Sequence, residues 1–400
     1  MIYRLSIFSG ISVPLKILYI TSVFPTHPED KRSCYIWDSI NVLRLHGIIP
    51  IVLVTKSWQP KWAGKIHTDF LFEMIDRDKF PVEIHICRPL SIPRHHLRFL
   101  SNFFYLWRVV PVAKRLMKLH RIDLIHAHGE IAALAAAKLP KRFVVTLHGY
   151  DTCPRMHQGL GAKMFLKAFN AANHVVFVGS SLQAAFQKNI NHAVRCKIIY
   201  NGCRIPERNT THVDFKILQI ISVGNLHEGK GVDITLRALG KLKKSNTTNF
   251  FYNIIGSGYQ KSFLEKIILE ENLTDHVFFT GDLPHDLVYQ HLQQAHIFCL
   301  PSYREAFGIV YLEAMAHELL TIGVKNQGPS AFIDHGKTGF LVEPQSVDSV
   351  FHLLKKIFSS LEAFLPIAKH GSEHVRSHFT WEAHAKQLLC TYQDVLRKHS

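Results

Sequence analysis

The feature that most constrains the fold is a regular alternation of short β-branched apolar runs with stretches of helical periodicity. The runs predict strands in two series along the chain. The first series covers residues 16–21, 51–55, 82–87, 124–127, 143–147, 174–178 and 197–200. The second covers residues 219–223, 249–255, 277–280, 297–300 and 320–324. Several runs are continuously apolar, which is typical of parallel strands covered on both faces.

A polar, turn-rich segment separates the two series at residues 201–214 (NGCRIPERNTTHVD). Strand-then-helix alternation on either side predicts the α/β class, with two doubly wound, Rossmann-like domains facing a central cleft. We expect the first domain over residues 1–205 and the second over 206–375. Ligands of such sheets bind beyond the carboxyl ends of the strands, so residues that directly follow strands are the candidates for function.

The charge of the chain is distributed unevenly. The net charge is +16, and it lies entirely within residues 1–200, whereas residues 201–400 are balanced. A hydrophobic share of 47% with 20% charged residues excludes a disordered chain. The basic first half predicts an anionic partner, which could be lipid, an acidic substrate or nucleic acid. Because no RNA-binding signature accompanies the charge, nucleic acid is the least expected partner.

Residues 94–118, from Arg94 to Lys118, interleave aromatic and basic side chains. This pattern suits contact with an anionic membrane surface. A buried helix with a basic edge explains it about equally well, and Pro111 is expected to interrupt any continuous helix.

No run reaches the roughly 20 apolar residues of a membrane-spanning helix, and the opening segment makes a poor secretory signal. The 7 cysteines are scattered, without a C-x-x-C pair. These features predict a reduced, cytoplasmic protein, peripheral at most on the inner face of the membrane.

Two glycine-containing segments follow predicted strands. Residues 224–231 (GNLHEGKG) come close to a Walker A loop, but Gly231 stands where that loop has its Mg²⁺-binding hydroxyl. Glycines, outward amides and Lys230 still favour a phosphate or diphosphate site. Residues 256–258 (GSG) form a lone G-x-G, which by itself indicates a tight turn more than a dinucleotide site.

The most informative segment is 301–316 (PSYREAFGIVYLEAMA). Glu305 lies in the loop after a strand, and a helix is expected to begin near Phe307. The amides at its start favour an anion, and Glu305 and Glu313 could accept hydrogen bonds from vicinal hydroxyls. Taken alone, a charge at the start of a helix and a surface glutamate would be the preferred explanation of these two carboxylates.

The order of several motifs along the chain favours a functional role for these carboxylates. Glu305 and Glu313, within E-x-F-G-x-V-x-L-E-A-M-A, resemble the signature of retaining, nucleotide-sugar-dependent glycosyltransferases of family 4, which have the GT-B fold. Residues 223–231 resemble the family's V-G-x-L-x3-K-G loop, and residues 146–151 (TLHGYD) resemble its T-x-H-G-x-D segment. Asn201-Gly202, Gly281 and residues 336–344 occur in the family's order. The resemblance covers roughly residues 16–350.

The resemblance implies transfer of a hexosyl unit from a UDP- or GDP-sugar to a glycan or lipid-linked acceptor. A lipid-linked saccharide is the preferred acceptor because of the basic first half and residues 94–118. No metal or other cofactor is implied, and residues 376–400 would form a helix that returns to the first domain. The implied catalytic residues are His148, Asp151, Lys230 and Glu305. The implied donor-binding residues are Gly224, Asn225, Lys230, Gly256, Gly258, Phe307, Gly308, Ile309, Val310 and Glu313.

The chain also departs from the family pattern. Asn225 stands where an arginine is usual, and Glu318 stands where a glycine is usual. His126 and His128 could in principle hold a metal, although no third ligand has suitable spacing, so a cleft-lining or hydrogen-bonded role is expected. A nucleotide-sugar epimerase, a phosphorylase, a catalytically weakened homologue and an ATP-dependent enzyme remain as alternatives.

Overall fold

The computed structural model describes residues 14–28, 30, 34–57, 75–90, 98–149, 159–187, 189–191, 193–207 and 216–397. The chain divides into two compact units. The first contains Met1–Phe177, Phe186–Ile199 and Ala385–Ser400, and the second contains Val178–Ala185 and Tyr200–His384.

The first unit is built on a seven-stranded sheet in which every pairing is parallel. Its order is β3-β2-β1-β4-β5-β6-β7. Successive strands are added on one side of β1 up to β3 and on its other side from β4 onward, so the strand order has its reversal point between β1 and β4. The strands are β1 (Lys16–Thr21), β2 (Ile49–Thr55), β3 (Glu83–Cys87), β4 (Leu124–His128), β5 (Phe143–Leu147), β6 (His174–Phe177) and β7 (Arg195–Ile198). The central strands β4 and β5 are buried along their whole length, as their continuous apolar sequence predicts.

The helices of the first unit cover the two faces of this sheet. They are α1 (Cys34–Leu45), α2 (Arg98–His120), α3 (Glu130–Ala136), α4 (Gly159–Asn170) and most of the terminal α12 (Trp381–Arg397), whereas α5 (Ser180–Gln187) lies largely in the second unit.

Helix α2 contradicts one expectation, because it runs continuously through Pro111. Proline removes the hydrogen bond to the carbonyl of residue 107. Pro111 lies on the exposed face of the helix, and Trp107 is 69% exposed, so water can satisfy that carbonyl. The prediction of an interrupted helix was therefore wrong.

The second unit repeats the same architecture with a six-stranded parallel sheet. Its order, β10-β9-β8-β11-β12-β13, reverses between β8 and β11. The strands are β8 (Leu218–Val223), β9 (Phe250–Ile255), β10 (Val277–Gly281), β11 (Ile297–Cys299), β12 (Leu320–Val324) and β13 (Phe340–Val342). The helices are α6 (Val232–Lys244), α7 (Lys261–Glu270), α8 (His285–Gln293), α9 (Ile309–Ala316), α10 (Val347–Ser359) and α11 (Leu365–His378).

Two parallel, doubly wound sheets confirm the predicted fold class. Every strand of the two predicted series is present within two residues at each end. Strand β13 was not predicted, because its three residues are too few to show a period. Helix α9 was expected to begin near Phe307, whereas it begins at Ile309, after Gly308 adopts a left-handed φ of 86°.

Within the part of the chain that the structure describes, helices fall short of the length and apolarity that crossing a bilayer requires.

Candidate functional site

The candidate site of the second unit lies at the reversal point of its sheet. Strands β8 and β11 are neighbours there, and their carboxyl ends lead into the two most motif-rich loops of the sequence, at 224–231 and 300–308. Crevices at such reversal points are where doubly wound sheets bind ligands. The fold therefore brings together two segments that lie about 75 residues apart in sequence.

The glycines of residues 224–258 serve mainly to let two loops pack back to back. A Cβ at Gly256 would come 2.0 Å from the carbonyl oxygen of Gly224, and one at Gly258 would come 2.2 Å from that of Leu226. Leu226 N–H donates to Ser257 O at 2.8 Å, which fixes the pair of loops. Gly256 and Gly258 thus hold the phosphate-type loop in place, whereas a Cβ at Gly224 would only make an ordinary van der Waals contact with the Lys230 side chain, at 3.8 Å.

Lys230 and Glu305 form an ion pair between the two loops. Their Nζ and Oε2 atoms are 2.6 Å apart, and the two side chains are only 18% and 13% exposed. The loops are tied further by Tyr303 N–H and the buried Ser302 hydroxyl, which donate to Gly229 O at 3.0 and 2.9 Å. A charged pair shielded from water and adjacent to free helix amides is suited to an anionic, hydroxyl-bearing ligand.

Glycines from other segments pack against the loop at 300–308 that leads into α9. Gly231 has a φ of 68°, and a Cβ there would come 2.3 Å from Pro301 O. Gly328 packs against the Phe307 backbone and donates its N–H to Glu305 O at 2.8 Å. Only glycine fits such close approaches, so the position of Glu305 depends on them.

Residues 307–310 lead into α9. Phe307 is buried and stacks on Tyr200 at 5.7 Å and 16°, so its side chain anchors the turn. Gly308, as N-cap, has no side chain to accept from the helix amides that follow. Ile309 and Val310 form the first turn of the helix, where backbone N–H groups lack partners within the helix.

Glu313 lies in α9 and is 8% exposed. Its Oε1 accepts from His285 Nε2 at 2.8 Å and from the Tyr289 hydroxyl at 3.4 Å. Behind it, burial lowers the pKa of His317, whose Nδ1–H donates to Glu313 O at 2.7 Å. These contacts fix the carboxylate. His285 and Tyr289 were not predicted as its partners, because they lie 28 and 24 residues from Glu313 in the sequence.

The two departures from the family pattern lie on the surface. Asn225 is exposed, and its carbonyl accepts from His227 N–H at 3.0 Å. Glu318 is exposed and adopts a left-handed φ of 63° at the end of α9, where its N–H donates to Met315 O at 2.9 Å. The backbone at 318 thus keeps the conformation that a glycine would supply.

The first unit places a group of aromatic rings at the carboxyl ends of β4 and β5. His148, which follows β5, lies 2.9 Å from His128 Nδ1 through its Nε2 atom, and the two rings are within 10° of parallel. His126 contacts Tyr392 of α12 and Thr146, each at 2.7 Å. His126 and His128 are therefore engaged in hydrogen bonds with ring and hydroxyl groups.

Asp151 lies outside the described residues. The structure thus brings Lys230 to Glu305 within the second unit and His128 to His148 within the first. The proximity of His128 to His148 had a sequence signal, because β4 and β5 are parallel neighbours with His128 opposite Thr146.

Two family models match the chain. A family model for glycosyl transferases group 1 matches residues 207–364, and one for glycosyltransferase family 4 matches residues 67–205. The chain belongs to family 4 of the glycosyltransferases, it has the GT-B fold, and it is a transferase.

Several relatives are distant but extensive. An uncharacterized glycosyltransferase of Methanocaldococcus jannaschii is 24% identical over 305 residues, which is 75% of this chain and 83% of the relative. The N-acetyl-alpha-D-glucosaminyl L-malate synthase of Bacillus anthracis is 24% identical over 359 residues, covering 85% and 88%. The structure of Anabaena HepE in complex with UDP and glucose superposes with a TM-score of 0.71 at 18% identity, covering 95% of this chain and all of that one.

Proposed function

We propose that this glycosyltransferase moves a hexosyl unit from a UDP- or GDP-sugar to an acceptor hydroxyl, with retention of configuration and without a metal. The second unit would bind the donor, and the first would bind the acceptor. The observation that carries the proposal is the shielded Lys230–Glu305 ion pair between the two strand ends at the reversal point. The structure of HepE with UDP and glucose supports a nucleotide-sugar donor.

The ion pair suits exchange with a donor. Its cation matches the charge of a diphosphate, and its carboxylate matches the hydroxyls of a sugar. On binding, Lys230 would turn to the diphosphate and Glu305 to the sugar, so neither group would be left uncompensated. Glu313, held by His285 and Tyr289, keeps a second carboxylate oxygen for the ribose hydroxyls.

In the transfer step, the bond between the anomeric carbon and the diphosphate oxygen breaks first. An acceptor hydroxyl then attacks that carbon on the face that the diphosphate leaves, and its proton passes to the departing phosphate oxygen. Lys230 and the first amides of α9 stabilise the negative charge that develops on the diphosphate. We expect His148 and Asp151 to take part in the transfer step, as the resemblance to the family implies.

The near-Walker segment gives an ATP-dependent enzyme little support. Residues Glu228–Lys230 form a 3-10 turn, Gly231 caps the next helix, and the ammonium of Lys230 pairs with Glu305. A Walker A lysine would instead lie over its own loop with a hydroxyl residue after it.

Retention can be tested without knowing the acceptor. The protein is incubated with UDP- and GDP-sugars, and proton NMR follows the first anomer of the sugar that slow hydrolysis releases. We expect the α anomer from an α-linked donor, formed at the same rate in EDTA. Release of the β anomer would refute retention, and a new sugar-nucleotide isomer would indicate the epimerase instead.

We further propose that the acceptor is lipid-linked and that α2 contacts an anionic membrane on the cytoplasmic side. On its exposed face Phe103 is 60% and Trp107 69% exposed, and Lys114, Arg115 and Lys118 follow. The helix contains no acidic residue to oppose them. Rings that enter the headgroup boundary beside cations suit anionic lipid.

Cosedimentation with phosphatidylglycerol vesicles tests this surface. We expect replacement of both Phe103 and Trp107 by serine to reduce binding about tenfold or more, because the rings supply most of the buried apolar area. A matched control replaces Tyr259 and Phe278 of the second unit, which are 72% and 51% exposed, by serine. Equal binding by both double variants would refute the membrane surface.

A further inference from the structure

A cluster of one carboxylate and two imidazoles lies away from the strand ends just described. Glu83 and His85 are alternate residues of the edge strand β3, so their side chains share one face of the sheet. His120, in the last turn of α2, meets them there. Because Glu83 is the first residue of β3, the cluster lies at the amino end of the strand, opposite the carboxyl edge that carries His148.

The ligand atoms of the cluster converge. Glu83 Oε1 lies 2.6 Å from His85 Nε2 and 3.2 Å from His120 Nε2. One ligand atom from each of the three residues lies within 4.8 Å of the others. In a tetrahedral site with bonds of about 2.0–2.1 Å, neighbouring ligand atoms stand roughly 3.3 Å apart, so small side-chain movements suffice to admit an ion.

His120 provides an independent indication. Its Nε2 atom is shielded from solvent and makes no hydrogen bond among the described residues, although it lies 3.2 Å from the carboxylate. Buried polar atoms are almost always satisfied, so a shielded nitrogen without a hydrogen bond is suited to binding a metal ion. A metal ion between the three groups would take up the lone pair of that nitrogen.

We propose that Glu83, His85 and His120 form a site for a divalent transition metal such as Zn²⁺. Imidazole and carboxylate ligands suit Zn²⁺, and a set of two histidines and one glutamate leaves a fourth position for water. The carbonyl groups at the end of α2 add negative potential, whereas the exposed Lys118 and Arg121 oppose it. We therefore expect micromolar affinity.

The ion would join the edge strand to the helix that packs on it. Among the described strands β3 pairs with β2 alone, and α2 supplies contacts from a different part of the chain. A metal bond between Glu83 or His85 and His120 closes that connection. The site would stabilise this edge of the first unit, and it is independent of the proposed transfer reaction, so either hypothesis can fail alone.

The experiment uses the full-length protein without an affinity tag, stripped with EDTA and desalted. Isothermal titration with Zn²⁺ and visible absorption with Co²⁺ are compared for the wild type, His120→Ala and Glu83→Gln. The control is His352→Ala, which removes an exposed histidine outside the cluster. Glu83 is 49% exposed, so its amide variant carries little risk to folding.

The wild type and His352→Ala should bind one equivalent more tightly than the remaining histidines do, with a Co²⁺ spectrum of four-coordinate intensity and a raised Tm. Both cluster variants should lose that equivalent or weaken it at least about tenfold. Equal stoichiometry and affinity in all four proteins would mean scattered binding to surface histidines only, and would overturn the proposal.

Discussion

The two units share one strand order through their first six strands, yet their reversal points carry opposite chemistry. In the second unit, glycine-lined loops hold a charged pair, Lys230 with Glu305, and a fixed carboxylate, Glu313. In the first, the strand ends carry the closely packed rings of His126, His128 and His148. The same fold thus presents charged groups suited to an anionic ligand in the second unit. In the first unit it presents imidazoles, which can donate or accept hydrogen bonds.

The largest expected effect concerns the charged pair. Lys230→Ala should lower kcat by about 100- to 1,000-fold, because the developing diphosphate charge loses its cation. It should also cost about 2 kcal/mol of unfolding free energy, since the shielded Glu305 carboxylate loses its partner. Activity assays and urea unfolding measure the two effects.

Lys241→Ala is the matched control for that variant. Lys241 pairs with Asp348 at 2.5 Å, but both side chains are largely exposed. Such a pair contributes little, so activity and unfolding should barely change. Equal losses in the two lysine variants would contradict a special role for Lys230.

The next largest effects are expected for two variants, one at each reversal point, which should alter different kinetic quantities. His148→Ala should reduce kcat by about 100-fold, with donor affinity changed less than about twofold, because the second unit holds the nucleotide. Glu313→Gln should weaken donor binding about tenfold, through loss of a charged acceptor for the ribose. Titration calorimetry with the donor and steady-state kinetics give both numbers. The reverse pattern would assign the donor to the first unit.

A third prediction concerns acid. Each unit contains a buried histidine whose pKa is lowered to about 4, chiefly by desolvation: His174 in β6 and His384, which donates to Tyr200 O at 2.8 Å. In the unfolded chain these histidines bind a proton near pH 6.5. Their contribution to the free energy of unfolding is therefore fully present above that pH and is lost as the pH falls toward 4. Between pH 7 and 5 each group should cost about 2 kcal/mol.

Urea unfolding at pH 7 and pH 5 checks this effect unit by unit. His384→Gln keeps a donor for Tyr200 O but cannot titrate, so the second unit should lose correspondingly less stability in acid. His352→Gln, an exposed histidine, is the control and should follow the wild type. Identical acid sensitivity in His384→Gln and the wild type would refute the assignment.

The smallest expected effect lies at the end of α9. Glu318→Gly should stabilise the second unit by about 0.5–1 kcal/mol, because glycine adopts the left-handed backbone at 318 without steric cost. Asn246→Gly is the control, since Asn246 has a φ of 63° and asparagine already tolerates that region. Thermal unfolding should show a rise in Tm for the first variant and a smaller one for the second. A drop at 318 would show that the glutamate makes a stabilising contact.

These comparisons also show what sequence could predict. Strands such as Phe143–Leu147 can be predicted from the sequence, because a strand that is buried on both faces requires continuous apolar residues. The three residues of β13 carry no period, and the exposed Pro111 does not break α2, so local patterns misled there. Local sequence patterns do not show whether a residue such as Pro111 is exposed to solvent or buried.

For the candidate site, the ordered motifs pointed to Lys230, Glu305 and Glu313, because Lys230 and Glu305 lie in the loops that follow β8 and β11 and Glu313 lies in the next helix, α9. Their partners are set by tertiary packing. His285 and Tyr289 reach Glu313 from α8, and Glu83 and His85 meet His120 across a helix–sheet contact. No spacing in the sequence predicts these contacts. By contrast, the parallel pairing of β4 with β5 predicts that His128 lies opposite Thr146.

The central claim is that the second unit binds a nucleotide-sugar through the Lys230 loop. Ligand-observed NMR with UDP-, GDP- and ADP-sugars and ATP, each with EDTA or Mg²⁺, tests it most directly, with Lys230→Ala beside the wild type. We expect one nucleotide-sugar to bind in EDTA and to weaken about tenfold or more in the variant. Binding of ATP alone, only with Mg²⁺, or donor binding that is indifferent to Lys230, would contradict the claim.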